Sequence, residues 1–158
     1  MGLFGLFGKK NNEAKKSRIP VYEKKLIPKF HKDHEKLVAQ VGLIQKEIEK
    51  EYPQADKLRK LLKSLRIQLL GHFMEEDIKL YWYLKDYYKD DTHSFAVVKE
   101  FESSIKDIQK EVMRFFDHYS AEDAIFSKEF EKQFSEIVEV LAARISSEED
   151  NLYTLYQQ

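Results

Sequence analysis

Along most of this chain apolar residues return every three or four positions, the spacing that gathers them on one face of an α-helix. The first stripe is Ile27, Phe30, His34, Leu37, Val41, Ile44 and Ile48, with Pro28 suited to the first turn and the pattern running to about Glu51. Tyr52 and Pro53 close it. A second stripe, between about Gln54 and Tyr87, holds Leu58, Leu62, Leu65, Leu69, His72, Glu76, Leu80 and Tyr83. The polar segment Lys-Asp-Asp-Thr makes the next turn, with Thr92 as the expected N-cap. A third stripe is Val98, Phe101, Ile105, Ile108, Val112 and Phe115. Ser120 and Asp123 have the spacing of a capping pair opening a fourth helix, which carries Phe126, Phe130, Ile137, Leu141, Arg144, Glu148, Leu152 and Leu155. Four such helices with short connections predict an all-α fold, an antiparallel up-down-up-down four-helix bundle. No strand-type alternation is long enough to compete.

Composition narrows the chemistry. The 158 residues include only five Gly and three Pro, too few breakers for a turn-rich fold. The absence of Cys excludes disulfides, thiolate metal sites and cysteine nucleophiles, leaving His, Asp and Glu. The 27 basic and 28 acidic side chains nearly cancel, which gives no case for a nucleic-acid partner. That balance hides a division, because residues 1–25 carry seven basic and two acidic side chains and the remainder carries 20 and 26. The chain therefore reads as a flexible basic leader, 1–25, followed by a bundle domain, 26–158. The apolar run MGLFGLF is too short for a signal core or a membrane span, so the protein is expected in the cytoplasm. The leader's alternative reading is weak contact with an anionic membrane surface through Phe4, Phe7 and its lysines.

The stripes become informative where they turn polar, because a buried His or Glu is costly unless paired, hydrogen-bonded or coordinated. Leu69, His72, Glu76, Leu80, Tyr81 in the second helix matches Leu141, Arg144, Glu148, Leu152, Tyr153 in the fourth at identical spacing. These helices run the same way in the predicted bundle, so both polar pairs fall at similar depth. His34, near the start of the antiparallel first helix, belongs to that same end. Singly, each residue reads as a hydrogen-bonded core group, and Arg144 between two glutamates reads as a buried salt-bridge cluster. Together, His34, His72, Glu76 and Glu148 supply the imidazole and carboxylate donors of a non-haem metal pocket. The His-x-x-x-Glu spacing is neither the zinc-protease motif nor the ferritin-type Glu-x-x-His. The remaining features read as architecture: the tyrosines of 81–88 with Tyr153 and Tyr156 as packing, and Glu149 and Asp150 as solvated faces. Gly71 suggests a close helix approach, His31 a flank of His34, and His118 a solvated position.

The segments FHKDHEKL and LLGHFMEEDIKLY, a His opening the third helix, and LAARISSEEDNLY together resemble the hemerythrin-like (HHE cation-binding) domain over about residues 26–156. The resemblance implies a four-helix bundle holding two irons through histidines and two bridging carboxylates. Such proteins bind dioxygen, sense oxygen, nitric oxide or iron, or assist in repairing damaged iron centres. It assigns ligand positions to His34, His72, Glu76, His93 and Glu148. It also exposes a departure, since Arg144 stands where the family has its fourth-helix histidine. A guanidinium is permanently protonated and cannot ligate a cation. Two expectations follow: an incomplete site holding one or two irons, or a metal-free interaction module in which Arg144 pairs with Glu76 and Glu148. An enzymatic role ranks behind both, because no substrate-defining motif is visible.

Overall fold

The computed structural model describes residues 20–158. Four helical rods form an all-α bundle: α1 (Leu26–Ile48), α2, α3 (Thr92–Tyr119) and α4. α2 is continuous through Ala55–Glu75, a π-helical stretch Glu76–Tyr81, and Trp82–Tyr87. α4 runs through Lys128–Ser147, a second π-helical stretch Glu148–Leu152, and a closing 3₁₀ turn Tyr153–Leu155. Among the described residues there is no strand, and no helix is long and apolar enough to cross a membrane. The expected membrane contact of Phe4 and Phe7 falls outside the described residues. On the leader side of the expected boundary, Tyr22 stacks on Tyr156, and the Glu23 backbone N–H donates to the Tyr156 hydroxyl at 2.7 Å.

The core follows the predicted stripes: Phe30, Ile44, Leu62, Leu69, Leu80, Val98, Ile105, Val112 and Phe130 are all excluded from solvent. At one end, Phe115, Tyr119, Phe126, Phe130 and Phe134 form a stacked aromatic plug. It closes the bundle there and leaves the polar stripe positions at the other end. Gly71 departs from expectation, since it is exposed and an added Cβ would meet nothing within 4 Å. The helix does not need that glycine for close packing.

Helix boundaries moved where local hydrogen bonding outcompeted the sequence signal. Asp91, not Thr92, caps α3, because its carboxylate accepts from the Ser94 backbone N–H at 3.2 Å. Ser120 and Asp123 do not open α4, which starts eight residues beyond Ser120, at Lys128. The intervening loop is instead held by Arg59, which donates to the carbonyls of Ala121 and Glu122 at 3.0 and 2.9 Å.

Gln40 and Glu47 take buried positions in α1, while Val41 and Ile48 are half-buried beside them. Gln40 donates to the Leu61 carbonyl at 3.1 Å, tying α1 to α2. Glu47 fastens the α1–α2 turn. It is ion-paired with Lys50 at 2.6 Å and Lys57 at 3.3 Å and accepts from the Gln54 backbone N–H at 3.0 Å. The Lys50 ammonium, the Gln54 N–H and Lys57 together lower its pKa to about 2, against the opposing pull of burial. A depressed carboxylate stabilises the fold above its ordinary value of 4.5, and that stabilisation is lost as pH falls toward 2. Urea titrations at pH 7 and pH 3 should therefore show Glu47→Gln lowering the midpoint at pH 7 and changing it much less at pH 3.

Candidate metal centre

Four side chains from three helices converge on one buried point. The ligating atoms of His34 (α1), His72 and Glu76 (α2) and Glu148 (α4) all lie within 4.8 Å of one another. All four residues are buried, none more than 4% exposed. The two imidazoles face each other with Nε2 atoms 3.1 Å apart. His72 Nε2 is 3.2 Å from Glu76 Oε1, and His34 Nε2 is 3.5 Å from Glu148 Oε1. Tyr153, from the last turn of α4, donates its hydroxyl to Glu76 Oε1 at 2.7 Å and lies 3.2 Å from His34 Nε2.

Each imidazole is oriented from behind. His34 Nδ1 is 2.9 Å from Glu149 Oε1, and His72 Nδ1 is 3.2 Å from Asp33 Oδ2. A carboxylate on the outer nitrogen holds the N–H there and leaves the Nε2 lone pair pointing inward, the arrangement usual for metal-ligating histidines. Glu149 also binds His31 at 3.0 Å, so the exposed His31 supports the site from its rim.

The π-helical stretches explain how two helices deliver matching sets. Each begins at the site carboxylate, Glu76 or Glu148, and a π turn inserts one extra residue, advancing the buried face by one position. The predicted inward residues Tyr83 and Leu155 thereby become half-buried, and Tyr81 and Tyr153 turn fully inward. Both hydroxyls are used. Tyr153 binds Glu76 and His34, while Tyr81 accepts from Arg144 Nη2 at 2.6 Å.

Arg144 is nested rather than free. Its Nε donates to Glu148 Oε2 at 3.2 Å, its Nη2 also donates to the Phe101 carbonyl at 3.0 Å, and its guanidinium carbon lies 4.9 Å above the Phe101 ring. The guanidinium thus fills the α3–α4 side of the cluster as a fixed positive charge.

The electrostatics are polarised. Burial works against a charged His72, yet its contact with Glu76, helped by Asp33 and Glu148, raises its pKa to about 9. Burial likewise opposes a charged His34, but Glu148 and Glu149 shift it upward. The carboxylates separate. Glu76 is held low by His72 and Tyr153 against its burial, and Glu148 is raised by burial and by the charge of Glu76. Burial and the same two carboxylates push Tyr153 far up, so without a bound cation it is a neutral phenol.

These donors fit one metal ion. Two nitrogens bonded at about 2.1 Å on adjacent positions of one ion sit about 3 Å apart, which the Nε2 pair matches. Glu76 Oε2 is buried without a hydrogen-bond partner, a costly state that coordination would relieve. The residues do not fit a second ion. On α3, Phe101 faces the guanidinium, and the buried carboxylate Glu102 is already held by Lys85 at 2.7 Å and Lys99 at 3.2 Å. His93, the expected third-helix ligand, is exposed in the first turn of α3 and lies outside the cluster. His118 is likewise exposed, near the far end of the same helix.

Of the sequence candidates, the structure brings together His34, His72, Glu76 and Glu148, with Arg144 beside them. It adds Tyr153 and Tyr81, expected as packing, Glu149, expected as a solvated face, and Asp33, which no sequence pattern singles out. For the tyrosines a signal existed, because the repeat that pairs Glu76 with Glu148 also pairs Tyr81 with Tyr153.

An all-α bundle with a buried His and carboxylate cluster at one end defines a helical metal-binding class. A family model, the hemerythrin HHE cation-binding domain, matches residues 25–156. The chain therefore belongs to the hemerythrin HHE family. No curated protein and no solved structure matches it.

Proposed function

We propose that the protein binds a single non-haem iron ion through His34, His72, Glu76 and Glu148, with Arg144 standing in for the charge of a second metal. The observation that carries this is the pair of inward Nε2 atoms at 3.1 Å, each imidazole held from behind by a carboxylate. Charge balance supports one ion. A divalent cation with the Arg144 guanidinium already exceeds Glu76 and Glu148 by one positive charge, and a second cation would add to that excess with no further carboxylate in the cluster. The mixed imidazole and carboxylate set suits iron(II) or iron(III), and no thiolate competes for softer metals. When bound, iron would supply an exchangeable coordination position for a small molecule such as O2 or NO. The chain's own groups orient both imidazoles, keep the pocket dry and fix Arg144 beside the carboxylates. The role is oxygen, nitric-oxide or redox sensing, or iron handling, in the cytoplasm.

The second reading, a metal-free interaction module, is favoured by the contacts of Arg144 with Glu148, Tyr81 and the Phe101 carbonyl, which give Glu148 a counter-charge without any metal. Reconstitution with iron(II) under anaerobic conditions, followed by metal analysis of the desalted protein, separates the two. One iron per chain is expected. No retained iron would overturn the iron reading and leave the module reading, and two irons would refute the role given to Arg144.

A further inference from the structure

The family resemblance assigns ligands only among histidines and carboxylates, but four donor atoms here form a closed circuit that includes a phenol. From His34 Nε2 to His72 Nε2 is 3.1 Å, and from there to Glu76 Oε1 is 3.2 Å. From Glu76 Oε1 to Tyr153 Oη is 2.7 Å, and from Tyr153 Oη back to His34 Nε2 is 3.2 Å. Four atoms joined by edges of about 3 Å are what four adjacent positions around one ion at about 2.1 Å produce. Tyr153 is only 4% exposed and its ring stacks on His34, with centroids 5.7 Å apart and planes 15° from parallel, so its hydroxyl has little freedom to point elsewhere. We infer that Tyr153 is a ligand of the bound metal, contributing a phenolate oxygen that selects a hard trivalent cation such as iron(III).

The inference rests on the one-iron reading and deepens it. Ligation breaks the Tyr153 O–H bond, forms an oxygen–metal bond and releases one proton to the buffer, with no change of oxidation state when iron(III) is supplied. A phenolate is a hard, anionic oxygen donor, so it strengthens binding of the trivalent ion more than of the divalent one. Its counterpart in the α2 repeat, Tyr81, has no such role, because its hydroxyl accepts from Arg144 at 2.6 Å.

Metal-free protein loaded with iron(III) from its nitrilotriacetate complex provides the test, read by metal analysis, visible absorption and resonance Raman scattering. Wild-type protein should hold one iron and show a visible charge-transfer band whose excitation enhances tyrosine ring vibrations. Tyr153→Phe, which preserves the buried ring, should keep the iron and lose both band and ring modes, whereas Tyr81→Phe should keep them. One iron without tyrosine modes in the wild type would overturn the inference and leave the one-iron reading standing. So would modes that survive Tyr153→Phe or vanish in Tyr81→Phe. No iron in the wild type would overturn both. The wild-type spectrum and Tyr81→Phe decide the matter even if Tyr153→Phe fails to fold.

Discussion

Arg144→Ala is expected to cost the metal-free protein about 3–5 kcal/mol, among the largest effects of any single substitution in the chain. The side chain is only 6% exposed and paired with Glu148, whose side chain is 3% exposed. Removing it leaves a buried carboxylate with no fixed counter-charge, deprives the Tyr81 hydroxyl of its donor, and uncovers the Phe101 ring. The loss should be smaller in iron-loaded protein, because a cation bound to Glu148 supplies the missing charge. That difference is the diagnostic. Urea denaturation of the variant with and without iron should show a wider gap in stability than wild type does. An equal loss in both states would mean that Arg144 and the metal do not share Glu148. Arg144→Met with Glu148→Leu should recover much of the metal-free stability, since an apolar replacement of a whole buried pair is often neutral or better.

The bundle was legible because its signal is repetitive. Each helix states its buried face several times over, so small errors at the ends of α3 and α4 left the fold intact. The four donors were legible for a related reason, being exceptions to otherwise apolar stripes. What stayed hidden depends on geometry that regular periodicity misrepresents. A π turn is invisible to a 3.6-residue count, and it is the π turns at Glu76 and Glu148 that bring Tyr81 and Tyr153 inward. Glu149 and Asp33 were hidden differently. They sit beside the stripes, part-exposed, and matter only through the outer nitrogens of His34 and His72. His93 shows the converse, a residue placed by resemblance alone at a helix start that does not reach the core.

Iron affinity should climb with pH, by at least tenfold per unit between roughly pH 6.5 and 9 and less steeply above, because the metal competes with a proton for His72 over that range and with the Tyr153 proton throughout. Burial disfavours the imidazolium, but Glu76 and Asp33 outweigh it and raise the pKa to about 9. The two facing Nε2 atoms, 3.1 Å apart, cannot both carry protons without repulsion, so the pair holds at most one extra proton at neutral pH. A metal must expel that proton, and each step downward in pH makes the expulsion harder. The stability of the metal-free protein runs the opposite way. Below 6.5 the imidazole is protonated in folded and unfolded chains alike, and its stabilisation is fully present. It is lost as pH rises through about 9, a change of about 3 kcal/mol for a displacement of this size. Urea midpoints of the metal-free protein from pH 6 to 10 should therefore fall while iron affinity over the same range rises. His72→Ala should flatten the fall in stability and take tight iron binding with it. A wild-type iron affinity that stays flat across this range would show that no proton is displaced from the site, and that His72 is not where the metal binds.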